Sequence, residues 1–264
     1  VLVIMGSIPV GLQLYTLREE TAKDFIGTLE KVAKMGYQAV EFAGYGGIEA
    51  KEMRGVLDNL GLTAPSTHVG LPLLEKDLQK EIEYALEVGI QYIICPFLNA
   101  EEKLSEEAFE QTMESFARIG EACRSQGIQF GYHNHAFEFE KAKDGQYVLD
   151  KMFQSVPAEH MTAELDLYWV AKAGLDPAVY LKQYKGRCPL IHVKDMTADE
   201  RGFFAEVGQG VINYPAIFEI AQDVGVQYYI VEQDQCERPP LESVQMSHKF
   251  IIKIESLLEK EVLM

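Results

Sequence analysis

The chain has 264 residues, enough for one large core or two small ones, and its 47% hydrophobic and 25% charged residues are the balance of a soluble globular protein. Acidic residues outnumber basic ones 41 to 24, giving a formal net charge of −17 with no clustering of Lys and Arg, which argues against a polyanionic partner such as nucleic acid. The four cysteines (Cys95, Cys123, Cys188, Cys236) are far apart and lack CxxC spacing, so reduced and mostly buried thiols are expected.

The opening VLVIM is too short to span a bilayer and carries no basic leader. No later apolar run approaches the roughly 20 residues that a spanning helix needs, and a cytoplasmic location away from membranes is expected. Pro9–Leu14 is the first candidate strand. In Asp24–Met35 (DFIGTLEKVAKM), Phe25, Leu29, Val32 and Ala33 share one helical face, and Gly36 follows as a stop. Ala39–Phe42 is the second strand. Val56, Leu57 and Leu60 end a helix before Gly61, and Thr63–His68 follows as the third strand. Leu78–Val88 is a helix ending at Gly89, before the strand Tyr92–Pro96. The acidic run Glu101–Glu107 (EEKLSEE) is the solvated start of a helix from Ser105 to Gln126, behind which stand Gly127 and the strand Gln129–His133. Met161–Asp166 and Leu190–Lys194 are the sixth and seventh strands. Pro215–Val224 is a helix ending at Gly225, Tyr228–Glu232 is the last strand, and a final helix follows Pro239-Pro240.

The phrase helix, glycine, strand recurs in MGYQAVEF, LGLTAPSTH, VGIQYIICP, QGIQFGYHN and VGVQYYIVEQ. It is the connection of a repeating β/α unit. Short apolar runs of this kind suit strands buried on both faces. The fold expected is an α/β, eight-stranded parallel (β/α)8 TIM barrel formed as one domain over residues 1–264. An open doubly wound sheet is the alternative, but its Gly-rich first turn is missing from YTLREET.

In such a barrel the chemistry sits at the C-terminal ends of the strands. Those ends carry Gln13, Glu41, His68, His133 with His135 and Glu138, Asp166, His192 with Lys194, and Glu232 with Asp234. Because side chains alternate along a strand, His192 and Lys194 share a face, as do Glu164 and Asp166. Glu138, Asp166, His192 and Glu232 would form a cage for one divalent ion, Mn, Co, Mg or Zn, without which their carboxylates would repel one another. Lys194 is a candidate for substrate contact, or for pairing with Asp195 or Asp234. The Gly208-Gln209-Gly210 loop is a weak phosphate-binding candidate.

GLQLYTLR, VEFAG, STHVG, GYHNHAFEF, LDLYW, HVKD, VGQG-x-INY and VEQD together give a sequence that resembles the sugar phosphate isomerase/epimerase superfamily of xylose isomerase-like barrels. The resemblance covers essentially the whole chain. It implies one metal held by a Glu–Asp–His–Glu set, which maps to Glu138, Asp166, His192 and Glu232. The first position stays open, since some relatives place that ligand about where Tyr132 or His133 stands, making His133 or His135 an alternative to Glu138. It also implies a small-molecule sugar substrate and a possible homo-oligomer. The expected reaction is isomerisation or epimerisation of a sugar, by removal of a proton next to a carbonyl through an enediolate. A lyase or dehydratase acting on a keto-sugar, keto-glycoside or inosose is the alternative. Glu138, Glu232, His133 and His135 are the candidates for proton transfer; Gln13, Glu41, His68, Trp169 and Lys194 are those for substrate binding.

Overall fold

Runs such as YIIC have no polar side on which to meet water, so they must be covered on both faces. In the computed structural model, which describes residues 7–98 and 106–262 (backbone only for 259–262), they are covered by closure into a barrel. Two expectations, on VLVIM and on residues 101–105 of the acidic helix start, lie outside the described residues. The barrel strands are β1 Val10–Gln13, β2 Ala39–Phe42, β3 Thr63–His68, β4 Tyr92–Cys95, β5 Gln129–His133, β6 Thr162–Asp166, β7 Leu190–Val193 and β10 Tyr228–Val231. They pair in sequence order, all parallel, and β1 closes on β10. This is the expected (β/α)8 TIM barrel.

The outer layer comprises α1 Arg18–Lys23, α2 Phe25–Lys34, α3 Ala50–Leu60, α4 Leu71–Val88, α5 Glu106–Ser125, α6 Val148–Ser155, α7 Leu167–Lys172, α8 Pro177–Lys182, α9 Tyr214–Val224 and α10 Pro240–Val262. Asp24 caps α2 by accepting from the Gly27 N–H at 2.9 Å. Helix α4 starts earlier than the expected Leu78, with a kink at Asp77. Helices α1, α6, α7 and α8 were not expected, nor was the antiparallel ribbon of β8 (Asp195–Met196) and β9 (Phe204–Ala205).

Alternation along each strand sorts the core into two parts. Ile93, Phe130, Leu165, Ile191 and Val193 point outward and pack under the helices. Tyr92, Ile94 and Leu190 point inward and fill the barrel interior beside Tyr228. The interior is narrow there: a Cβ on Gly131 would come within 2.5 Å of Ile94 Cδ1 and 2.9 Å of Thr162 Cγ2. Towards the C-terminal ends of the strands the inward positions turn polar, and the site begins there. None of the four cysteines forms a disulfide among the described residues, and Cys95, Cys123 and Cys188 are buried. No helix among the described residues is long and apolar enough to cross a membrane.

Candidate functional site

Strands β5, β6 and β7 aim His133, Asp166 and His192 into the barrel mouth, and Glu232 follows directly after β10. One donor atom from each of these four residues lies within 4.8 Å of the other three. His133 Nε2 is 3.6 Å from Asp166 Oδ2, and His192 Nδ1 is 2.9 Å from Glu232 Oε2. The opposite ring nitrogens meet other carboxylates. His192 Nε2 lies 2.7 Å from Glu41 Oε1 and 3.2 Å from Glu164 Oε2, and His133 Nδ1 lies 3.2 Å from Glu164 Oε2. His68 Nε2 joins the same two carboxylates at 3.0 and 2.7 Å. A carboxylate on one ring nitrogen holds a proton there and leaves the other nitrogen's lone pair for a cation.

So many buried charges persist only when paired. Burial opposes ionisation of Glu41, but His68 and His192 overcome it and hold the carboxyl well below its usual range. Glu232 is likewise held low, burial being outweighed by Lys194 and His192. Burial lifts Asp166 to about 6, although Lys194 and His192 pull the other way. Burial and the charge of Glu41 push Glu164 up. Burial disfavours a charged His68, yet Glu41 and Glu164 carry its pKa up to about 10. Carboxylates on both sides similarly raise His192 against burial. His133 goes the other way: burial, then the positive charge of its neighbours led by His192, depress it well below the ordinary value. A neutral imidazole among charged groups is a ready ligand.

The donor set fits a divalent ion: two imidazoles and two carboxylates converge, and Asp166 Oδ2 is buried without a hydrogen bond of acceptable alignment. That oxygen is not electrostatically alone, since Lys194 Nζ lies 2.8 Å away. A second group with similar spacing, His68, His133, Glu164 and His192, lies against the first and shares its two central histidines.

Glu138 is placed elsewhere. Its buried carboxylate accepts from the Tyr132 hydroxyl at 2.6 Å and from the His135 backbone N–H at 2.8 Å, where it shapes the turn after β5. His133 stands in the four-residue group where Glu138 was expected. Gln13 and Glu41, expected to touch substrate, are fully buried and bonded to each other at 2.7 Å. The cavity over the group, about 360 Å³, is lined by Tyr15, Phe97, His68, His133, His135, Glu232 and Asp234, with Ala43 and Pro96. Trp169 packs against His135, ring centroids 5.6 Å apart and the planes tilted by 40°. Lys194 faces carboxylates: its Nζ lies 2.8 Å from Asp166, 2.6 Å from Glu232 and 2.8 Å from Asp234. Asp195 is not its partner. The Asp195 carboxylate instead accepts from the N–H groups of Met196, Gly208, Gly210 and Ile212. The amides of Gly208 and Gly210 are therefore engaged within the fold, which removes the basis for a phosphate site there.

Glu164, Ser66 and Asn134 were missed as site residues. Ser66 Oγ donates to Glu41 Oε2. Asn134 clamps β5 to β6, accepting from the Asp166 N–H at 2.9 Å and donating to the Asp166 carbonyl at 3.3 Å. The alternation in AELDLYW already placed Glu164 on the face of Asp166, a signal that pointed to Glu164. A larger concavity of about 680 Å³, lined by Arg124, Arg187 and Gln227 among others, contains none of these groups.

Residues 29–254 match the family model of the xylose isomerase-like TIM barrel. The chain is 22% identical to an inosose dehydratase of Geobacillus kaustophilus, over 86% of each protein. A sugar phosphate isomerase/epimerase structure from Parabacteroides distasonis superposes with a TM-score of 0.80 at 26% identity, over 94% of each chain. The IolI protein, whose crystal structure holds a zinc atom, superposes with a TM-score of 0.74 at 15% identity, over 95% of this chain and 99% of that one; the likeness is one of fold. With the family match running from α2 into the last helix, the chain belongs to the xylose isomerase-like TIM barrel family.

Proposed function

We propose that this chain, acting as one unit over residues 1–264, is a metal-dependent enzyme that moves a proton at the carbon next to a carbonyl of a keto-sugar or keto-polyol. The observation that carries the reading is the approach of His133, Asp166, His192 and Glu232 to within 4.8 Å of one another beside a sugar-sized cavity. These four residues would hold one divalent ion. Two imidazoles among the donors suit Mn, Co or Zn better than Mg. When bound, such an ion supplies Lewis-acid polarisation of the substrate carbonyl. The zinc of the related IolI structure supports this reading.

The chain's own residues do the rest. Glu232 lines the cavity at the edge of the group and is the base that takes the α-proton. His135 also lines the cavity, lies outside the group, and returns a proton. His68 borders the cavity and contacts substrate hydroxyls. Glu138, with its oxygens on Tyr132 and on the His135 backbone, positions His135 rather than taking the proton itself. Among the described residues the cavity lining contains no Arg or Lys, which supports a substrate without phosphate.

Elimination, as in a dehydratase or lyase, is the outcome we favour. A leaving group needs an acid as well as a base, and His135 stands with Glu232 around one cavity. The inosose dehydratase relative supports it. Isomerisation or epimerisation is the second reading, supported by the isomerase/epimerase structural relative. Incubation of the Co²⁺-loaded protein with inososes and 3-keto-glycosides in D₂O separates them. Release of water or an aglycone is expected; solvent deuterium in an intact skeleton would select the second reading. Failure of every keto-substrate both to exchange and to react would contradict the proposal.

A further inference from the structure

Lys194 is the one residue at the centre of this site whose placement is at odds with a bound ion. Its side chain is 1% exposed and its ammonium sits against three carboxylates. Two of its contacts are to Asp166 Oδ2 and Glu232 Oε2, the same oxygens through which these residues face His133 and His192. An ammonium at 2.6–2.8 Å from both oxygens competes for the lone pairs a divalent ion would use, and the two cations would repel across a buried gap. The third contact differs. Asp234 is 26% exposed, borders the cavity, and does not belong to the ligating group.

We propose that Lys194 is a built-in competitor of the metal. Without metal it neutralises Asp166 and Glu232. When the ion binds, it leaves both and keeps Asp234, which brings its ammonium to the cavity wall, where a substrate oxygen can meet it. The fold supplies the means for such a limited movement. The backbone of Lys194 is pinned, its N–H donating to the Tyr214 hydroxyl at 2.9 Å and its carbonyl accepting from it at 2.7 Å. Asp195, the next residue, is held through its carboxylate, which accepts from the backbone N–H groups of Gly208, Gly210 and Ile212. With the backbone fixed, the change is confined to the flexible four-carbon stem of the lysine. The device sets metal affinity below what the four ligands alone would give, and it couples metal loading to the appearance of a cation at the substrate cavity.

This inference rests on the metal reading above, and the test separates the two. Co²⁺ affinity is measured by chelator competition on the full chain, for the wild type, Lys194→Met, Lys194→Arg and Asp166→Asn, with folding checked by circular dichroism. Lys194→Met is expected to bind Co²⁺ about tenfold more tightly or better, because a buried like charge has been removed, whereas Lys194→Arg keeps the charge and gains nothing. Unchanged or weaker binding by a folded Lys194→Met overturns the inference while the metal reading stands, provided Asp166→Asn loses Co²⁺. Absence of Co²⁺ binding in both the wild type and Lys194→Met overturns both. A second measurement needs no variant: acetic anhydride labelling of Lys194 in the wild type, read by peptide mass spectrometry with and without Co²⁺. Faster labelling with Co²⁺ is expected; equal or slower labelling overturns the inference.

Discussion

A histidine can ligate a metal only through a nitrogen that has given up its proton, and at His192 both nitrogens face carboxylates: Nδ1 faces Glu232, and Nε2 faces Glu41 and Glu164. Its raised pKa means that the metal-free ring is protonated through neutral pH, so a metal must displace a proton to bind. Asp166, with its pKa lifted to about 6, adds a second competing proton at lower pH. Both protons oppose the ion, so affinity rises with pH, most steeply below about pH 6, where Asp166 also carries a proton, and more gently above it. Calorimetric titration with Co²⁺ in buffers of different ionisation enthalpy should show net proton release; zero or negative release contradicts this.

The far side of each ring carries a prediction of its own. Glu164 touches His133, His192 and His68 through one oxygen. Glu164→Gln should leave the fold intact and weaken Co²⁺ binding about 10- to 100-fold, the usual cost of losing a carboxylate behind a ligating imidazole. Affinity within twofold of wild type would show that Glu164 does not orient those rings. At this scale the sequence was only partly legible. The ends of β6, β7 and β10 pointed to Asp166, His192 and Glu232, which the structure brings together. The segment after β5 did not, because HNHAFEF offers three donors and strand parity stops at His133. What turns Glu138 away is a short 3₁₀ turn at Phe137–Phe139, held by contacts that no spacing rule contains.

At the scale of elements, each expected strand appears within one residue of its observed ends, because strands buried on both faces must be short apolar runs. Their connections were legible through the glycines that end the helices, with φ of 90° at Gly89 and 100° at Gly225. The helices that escaped notice are short, six residues in α1, α7 and α8 and eight in α6, too few to display a periodic face. Helix α7 begins on a site residue: Asp166 Oδ1 caps it by accepting from the N–H groups of Tyr168 and Trp169, while Oδ2 faces His133 and Lys194. One carboxylate thus joins strand end, helix start and candidate ligand. Within β5, Gly131 is set by the interior packing. Gly131→Ala should destabilise the protein by about 1–3 kcal/mol, the cost of overpacking a closed core, measured by urea unfolding without metal. A loss under about 0.3 kcal/mol would mean that Ile94 and Thr162 yield freely.

At the scale of the whole molecule, a net charge of −17 and a cavity lining free of Arg and Lys among the described residues suit a protein that concentrates cations and repels phosphate backbones. The barrel fills its inner layer with Tyr92, Ile94 and Leu190 and leaves its mouth to carboxylates and imidazoles. A closed apolar floor under a polar mouth is what a buried ion requires. The central claim is that His133, Asp166, His192 and Glu232 hold that ion, and metal analysis of protein purified without chelator tests it most directly. The account predicts about one transition metal per chain in the wild type and in Glu138→Gln, and loss of that metal in folded His133→Ala and Asp166→Asn. Metal retained by both of the latter variants, or lost from a folded Glu138→Gln, would contradict it.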